Sequence, residues 1–208
     1  MYVPAHFAET DVAVLHDAMR RSGLATLVTQ GSGGLIASHV PMLLDPEPAP
    51  YGTLLGHIAR DNPQWRDAAA GDSLAIFLGP DAYVSPSLYA TKKRNAKVVP
   101  TWNYVAIHAY GRAEFFDDEA RLRAIVTRLT EKHEAPRAEP WAVSDAPDDY
   151  VRMMLKAIVG FALPIARLDG KWKMSQNRPP EDRASASEGL AREGKDAVAQ
   201  LIKKPGPA

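Results

Sequence analysis

The chain has 208 residues, 46% hydrophobic and 24% charged, so it can bury a core of ordinary size and is close to the length of one domain. Twenty-five basic residues cancel 25 acidic ones, so no net field draws the protein to nucleic acid or an anionic membrane, which counts against DNA binding as its dominant role. The absence of cysteine excludes disulfides, thiolate chemistry and Cys-based zinc or iron–sulfur centres, and no apolar run approaches the roughly 20 residues of a membrane span; a cytoplasmic protein is expected. The first periodic stretch predicts a helix in which Val12, Leu15, Ala18 and Met19 share a face, capped by Thr10 or Asp11 and ended by Gly23.

Leu24 to Gln30 and Leu35 to Leu44 read as strands joined by Gly31-Ser32-Gly33-Gly34, a hairpin turn and not a phosphate loop, because no Lys-Ser/Thr follows and the next element is a strand. The prolines of Asp45 to Pro50 lack amide donors and predict a connection before a strand at Thr53 to Ile58. A short helix is expected to begin near Asn62-Pro63, followed by strands at Ser73 to Leu78 and Trp102 to Phe116. The acidic first turn Asp117-Asp118-Glu119 opens a helix with Leu122, Ile125, Val126 and Leu129 on its buried stripe. Glu134 to Pro147 reads as an ordered loop or lid, Asp148 to Lys156 as a helix, Val159 to Leu168 as the last strand, Gly170 as a turn and Glu181 to Lys203 as a helical tail. Five or six hairpin-joined strands with helices at the ends predict an α+β, mainly β fold, an antiparallel barrel with peripheral helices in one domain over residues 1–208.

Three blocks are too crowded with donors and aromatics for either a solvated surface or an apolar core: Gly56 to Pro63, Pro100 to Tyr104 and Lys171 to Arg178. In the first, His57, Arg60 and Asn62 stand where a strand gives way to a helix, a place where amides and a cation can hold a phosphate. The plainer reading makes Asn62 an N-cap and pairs Arg60 with Asp61 or Asp67. The preceding strand carries Ser38, His39 and Pro41; the proline implies a strand end whose free backbone groups can meet a ring edge, while His39 alone reads more simply as a half-buried histidine. In the second block, alternation puts Trp102 and Tyr104 on one face and Thr101 and Asn103 on the other, so only one face can address a ligand, and the aromatic pair serves equally as core. In the third, Lys173, Ser175 and Gln176 follow the final strand and can offer donors to carbonyl oxygens or ring nitrogens, or form a bare polar loop. Lys92-Lys93-Arg94 with Lys97 reads as a solvated basic loop, open to an anionic substrate, a phosphate or DNA. The six histidines lack metal-ligand spacing, and neither a Gly-x-Ser-x-Gly elbow nor a G-x-G-x-x-G strand–helix turn is present.

The three blocks, with the opening Met1-Tyr2-Val3-Pro4-Ala5-His6-Phe7 and Gly79-Pro80-Asp81-Ala82-Tyr83-Val84-Ser85-Pro86-Ser87, resemble in kind and order the PaiB family of FMN-binding negative transcriptional regulators over nearly the whole chain. Two positions depart from it: Leu88 precedes Tyr89 where a Trp is common, and Ser185-Ala186-Ser187 stands where a Gly-Val pair is common. The resemblance implies an FMN-binding split barrel that dimerises with a flavin in each interface cleft, the cofactor phosphate at the His57, Arg60 and Asn62 turn, and Trp102, Asn103, Ser175 and Gln176 nearby. It also implies repression of genes, hence DNA as a partner, although no helix–turn–helix pattern is legible; the only basic candidates are the Lys92 loop and the tail lysines Lys195, Lys203 and Lys204. Two other readings remain: an FMN-dependent oxidoreductase acting on a small molecule or free flavin, and a haem-binding split barrel with His39, His57 or His108 as axial ligand.

Overall fold

The computed structural model describes residues 1–67 and 71–203. After β1 (Ala8–Glu9), helix α1 (Val12–Arg21) starts where the Asp11 carboxylate accepts from the amides of Ala13 and Val14, which makes Asp11 the cap; Leu15 and Met19 are buried. β2 (Ala25–Gly31) and β3 (Gly34–Val40) form the expected hairpin, with Gly31 paired to Gly34 around Ser32-Gly33. The strand expected from Leu35 to Leu44 is broken at Pro41, which cannot donate to a ladder, and resumes as β4 (Leu43–Asp45). β5 (Thr53–Ala59) pairs with β4 and leads to the one-turn helix α2 (Gln64–Asp67).

β6 (Ser73–Val84) is about twice as long as expected: it continues through Gly79-Pro80 instead of ending at Leu78. Its buried positions change parity on the way, from Ser73, Ala75 and Phe77 to Ala82 and Val84, as an irregularity in an alternating strand requires. The basic segment expected as a loop is a single helical turn, α3 (Lys92–Asn95). The strand expected from Trp102 to Phe116 is two, β7 (Thr101–Gly111) and β8 (Glu114–Phe116). α4 (Glu119–Glu134) is capped by Asp118, whose carboxylate accepts from the Arg121 amide at 2.8 Å, and buries Leu122, Ile125 and Leu129.

α5 (Asp148–Leu155) precedes the longest strand, β9 (Ile158–Lys173), which runs straight through Gly170. Gly170 is therefore not a turn. It pairs with Glu9 of β1, and a Cβ there would run into the Leu15 side chain and lie 2.7 Å from the Glu9 carbonyl oxygen, so the residue is small because β1 and α1 approach closely. The helical tail is two helices, α6 (Pro180–Arg192) and α7 (Asp196–Lys203), separated at Gly194, whose φ of 74° suits a glycine after a helix end. Lys204 lies outside the described residues.

Among the described residues nine strands replace the five or six expected, in the order β3-β2-β6-β7-β9-β5-β4, with β1 and β8 also on β9. β9 is apolar and buried nearly throughout Val159 to Ile165, as a strand with neighbours on both edges and cover on both faces should be. The chain divides into two compact units. Unit 1 comprises Met1–Leu15, Leu78–Ile107 and Asp169–Ala208; its core joins Val84, Tyr89 and Val105 to Leu190, Val198 and Ile202 of the tail helices. Buried Asp182 accepts from the Thr91 amide and hydroxyl at 2.8 and 2.7 Å, and the Ser187 hydroxyl donates to the Ala199 carbonyl, tying α6 to α7. Leu88 packs against Gly189, so both departures from the PaiB pattern fall in this tail packing. Unit 2 comprises His16–Phe77 and His108–Leu168; α4 packs on Leu43 and, with α5, encloses Leu122, Val143, Val151 and Leu155. Fully buried Gln64 donates to the Leu27 carbonyl and the Thr29 hydroxyl, anchoring α2 to β2.

Candidate functional site

The predicted site residues fall into two groups, one in each unit. In unit 2 the turn after β5 is closed on itself: the Asn62 amide donates to the Ala59 carbonyl at 3.0 Å, and the Asn62 side chain accepts from the Gln64 amide at 3.0 Å while donating to Ser38 Oγ at 2.8 Å. Asn62 is thus the cap the plainer reading described, and it ties α2 to β3. Arg60 pairs with neither Asp61 nor Asp67. Its guanidinium donates to the carbonyls of Lys156 at 2.6 Å and Ile158 at 3.1 Å and lies 3.7 Å from the Asp117 carboxylate, while Asp67 accepts from the Ser32 hydroxyl. The pairing of Ala59 with Ile158 brings those carbonyls to Arg60. His39, exposed on β3, meets Thr26 Oγ1 across the hairpin at 2.9 Å.

His57 has different surroundings from Arg60 and Asn62. On β5 it alternates with buried Gly56 and Ile58 and faces α4, α5 and the Glu134–Pro147 loop, where it lines an apolar cavity of about 220 Å3 with Val126, Trp141, Tyr150, Met154 and Ile158. A second cavity of about 290 Å3 shares His57, Val126 and Trp141 and reaches Pro41. His57 Nδ1 is buried without a hydrogen-bond partner, and burial holds the imidazole below its usual pKa, so it is neutral near pH 7.

In unit 1 the residues at the end of β9 and the start of β7 come together. Lys173 Nζ donates to Thr101 Oγ1 at 2.5 Å and to the Trp102 carbonyl at 2.8 Å, leaving one of its three donors for another acceptor. Asn103, fully buried, donates to Ser175 Oγ at 3.0 Å. That contact sits beside a strained backbone, since Ser175 has a φ of 61° that costs a non-glycine residue of order 1–3 kcal/mol. Gln176 braces the same turn: its side-chain oxygen accepts from the Met174 amide and its nitrogen donates to the Trp172 carbonyl. Trp102 is half exposed and meets Tyr83 edge-on at 6.0 Å.

Two residues of the third block were not singled out from the sequence. Buried Lys171 donates to the Tyr2 carbonyl and has the rings of Tyr2 and Tyr104 at 5.5 and 5.3 Å; Arg178 lies over the Tyr89 ring at 4.8 Å. Among the described residues Lys171, Lys173 and Arg178 have aromatic and carbonyl neighbours and no ion pair with a carboxylate, and desolvation, opposed by Tyr104 and reinforced by the smaller repulsions of Lys171 and Arg178, pulls the Lys173 pKa down. The i, i+2 spacing of Lys171 and Lys173 on a strand was the signal that could have found the pair. No helix of the described residues is long and apolar enough to cross a membrane.

An antiparallel sheet with peripheral helices is a split-barrel architecture. Residues 1–167 match the family described as "Putative FMN-binding domain", and the chain belongs to that family, whose cofactor is FMN. It is 33% identical over 202 residues to the protease synthase and sporulation protein PAI 2 of Bacillus subtilis, covering 97% of this chain and 94% of that one. The fold is shared with the conserved hypothetical protein Rv2991 of Mycobacterium tuberculosis, at a TM-score of 0.58 and 14% identity over 86% of this chain and 94% of that chain. It is likewise shared with the FAD and heme binding protein of Mycobacterium smegmatis, at a TM-score of 0.58 and 19% identity over 80% and 73%. The residues of unit 1 fit the cofactor: a flavin phosphate is an anion, and Lys171, Lys173 and Arg178 are three cations that form no ion pair with a carboxylate among the described residues.

Proposed function

We propose that the protein is a cytoplasmic, homodimeric FMN-binding regulator of the PaiB type, with the flavin phosphate held by Lys173 and Arg178 and supported by Lys171. The observation that carries the reading is the cluster of cations at and just beyond the end of β9, which among the described residues form no ion pair with an acid. Asn103 sets Ser175, and Gln176 sets the turn, so that backbone and hydroxyl donors stand beside the cations. Thr101 and the Trp102 carbonyl orient the Lys173 ammonium, and Trp102 with Tyr83 offers an aromatic wall. When bound, FMN supplies a redox-active ring. The turn of Arg60 and Asn62 with Ser38 and Pro41 is the competing phosphate site; its donors already serve the protein's own carbonyls and hydroxyl.

Repression rests on the resemblance and on exposed Lys92, Lys93 and Lys97 of the α3 segment, cations suited to DNA phosphates. The decisive experiment compares FMN with riboflavin, which lacks the phosphate, by flavin absorbance after removal of excess ligand. A charge-assisted contact contributes roughly 1.5–3 kcal/mol, so Lys173→Met should weaken FMN about ten- to a hundredfold and leave riboflavin unchanged. If Arg60→Ala does this instead, the phosphate belongs to the β5 turn. Turnover of NAD(P)H by the loaded protein without any effect on DNA would replace the regulator by an oxidoreductase, and retention of haem in place of FMN would replace the flavin.

A further inference from the structure

Helix α5 is apolar on two sides. Its inward stripe, Val151 and Leu155, is buried against Leu122 and Val143. Tyr150, Met153 and Met154, spaced i, i+3 and i+4, form a second stripe on the solvent side, with 50%, 57% and 47% of their surface exposed. Tyr150 and Met154 line one apolar groove with Trp141, itself 50% exposed, so the four side chains make a continuous patch within unit 2. Half-exposed side chains of this size leave on the order of 100 Å2 each, about 400 Å2 together. A patch of that size is the mark of an interaction site, and it is a fair core for the roughly 800 Å2 that each partner of a stable interface contributes.

The charges at the two ends of the helix select what covers the patch. Asp149 in the first turn and Lys156 at the C-cap lie seven residues, or about two turns, apart and therefore flank the same side of the stripe. Both are exposed, and neither forms an ion pair among the described residues, whereas Asp148 is paired with Arg123 and Arg152. Two copies of α5 laid antiparallel across a two-fold axis bring Asp149 of each beside Lys156 of the other, with Met153 close to the axis and Tyr150 beside Met154 of the second copy. One patch then serves as both halves of the contact, as a two-fold interface requires, and the opposed helix dipoles add to the attraction. Parallel helices would instead set Asp149 against Asp149. We propose that the exposed face of α5, with Trp141 beside it, docks antiparallel on the same face of a second copy of this chain; the contact rests on the homodimeric reading above and assigns it a surface.

The test is sedimentation equilibrium of the FMN-loaded full-length protein across a dilution series, where the wild type should reach an even multiple of the 22.7 kDa chain. Met153→Lys should weaken association by about a hundredfold, because the two-fold axis makes each substitution count twice. Asp149→Lys and Lys156→Glu should each weaken it about tenfold or more by juxtaposing like charges, and the double variant, which exchanges the two charges, should restore it. Circular dichroism identifies a variant that fails to fold, and Tyr150→Ser then takes the place of Met153→Lys. A wild type that stays at the mass of one chain would overturn both this contact and the homodimer. An associated wild type whose folded variants keep its mass, or single charge variants that dissociate without recovery in the double one, would overturn the contact and leave the homodimer standing.

Discussion

The end of β5 and the end of β9 look alike on paper: each is a strand terminus crowded with cations, amides and an aromatic or proline. In the structure they are opposites. Around Arg60 the start of β9 supplies carbonyls, Asp117 supplies a carboxylate and Ser38 takes the amide of Asn62, so the donors are answered within the chain. Lys173 donates to the Thr101 hydroxyl and the Trp102 carbonyl but has two further cations near it, Lys171 beside the rings of Tyr2 and Tyr104 and Arg178 over that of Tyr89. The first arrangement lowers the energy of the folded chain by itself; in the second, desolvation and the neighbouring cations disfavour the charged form of Lys173. The difference lies in charge: both clusters have neutral acceptors, and only the first has a carboxylate.

The contrast predicts effects of opposite sign. Lys173→Met should weaken FMN by about ten- to a hundredfold while stabilising the flavin-free protein, because the desolvated ammonium and its repulsion by Lys171 and Arg178 disappear. The sign follows from proton linkage: the folded-state pKa of Lys173 lies below its unfolded value, so between the two the unfolded chain holds the extra proton and stability rises with pH. Alkaline thermal melts of the wild-type protein should show that rise, and those of Lys173→Met should lack it. Lower stability of the flavin-free variant would mean that the ammonium is held by contacts the fold depends on. Next in size, Asn103→Ala leaves the Ser175 hydroxyl and a strained backbone without their buried partner, a loss of about 1–3 kcal/mol, read as a lower urea midpoint, together with weaker FMN binding. Arg60→Ala is the mirror of the lysine variant: it should cost about 1 kcal/mol of stability for its carbonyl bonds and leave FMN affinity within about threefold. A larger loss of FMN affinity would return the phosphate to this turn.

How much of this was legible in the sequence differs by element. Helices α1 and α4 were readable because apolar periodicity and a capping aspartate agree, and the β2–β3 hairpin because glycines bracket its turn. The strands were miscounted where one residue type has two uses. Gly170 reads as a turn but is small because Glu9 and Leu15 press against it, and Gly79-Pro80 reads as a break although β6 continues past it with its parity shifted. The same ambiguity governed the site. His57, Arg60 and Asn62 are neighbours in sequence, yet strand alternation turns His57 under α4 while Arg60 and Asn62 serve the turn, and the partners that separate them, Lys156, Ile158 and Ser38, are distant along the chain. Asn103 and Ser175 stand in different blocks of the sequence, and only the family resemblance placed them together; the fold makes them hydrogen-bond partners.

The smallest effect concerns His57, which belongs to neither pattern: its Nδ1 is buried without a hydrogen-bond partner, whereas Arg60 and Asn62 beside it have theirs. Burial depresses its pKa, so the folded protein holds the imidazole neutral in a range where the unfolded chain has begun to protonate. Stability from this residue is fully present above the unfolded value near 6.5 and drains away as pH falls through the depressed folded value. Thermal melts between pH 7.5 and about 5 should therefore fall more steeply for the wild-type protein than for His57→Phe, which fills a similar volume and carries no proton. Parallel curves would mean that His57 takes up its proton as freely in the fold as in solution, and that water reaches Nδ1 in the cavity between β5 and α4.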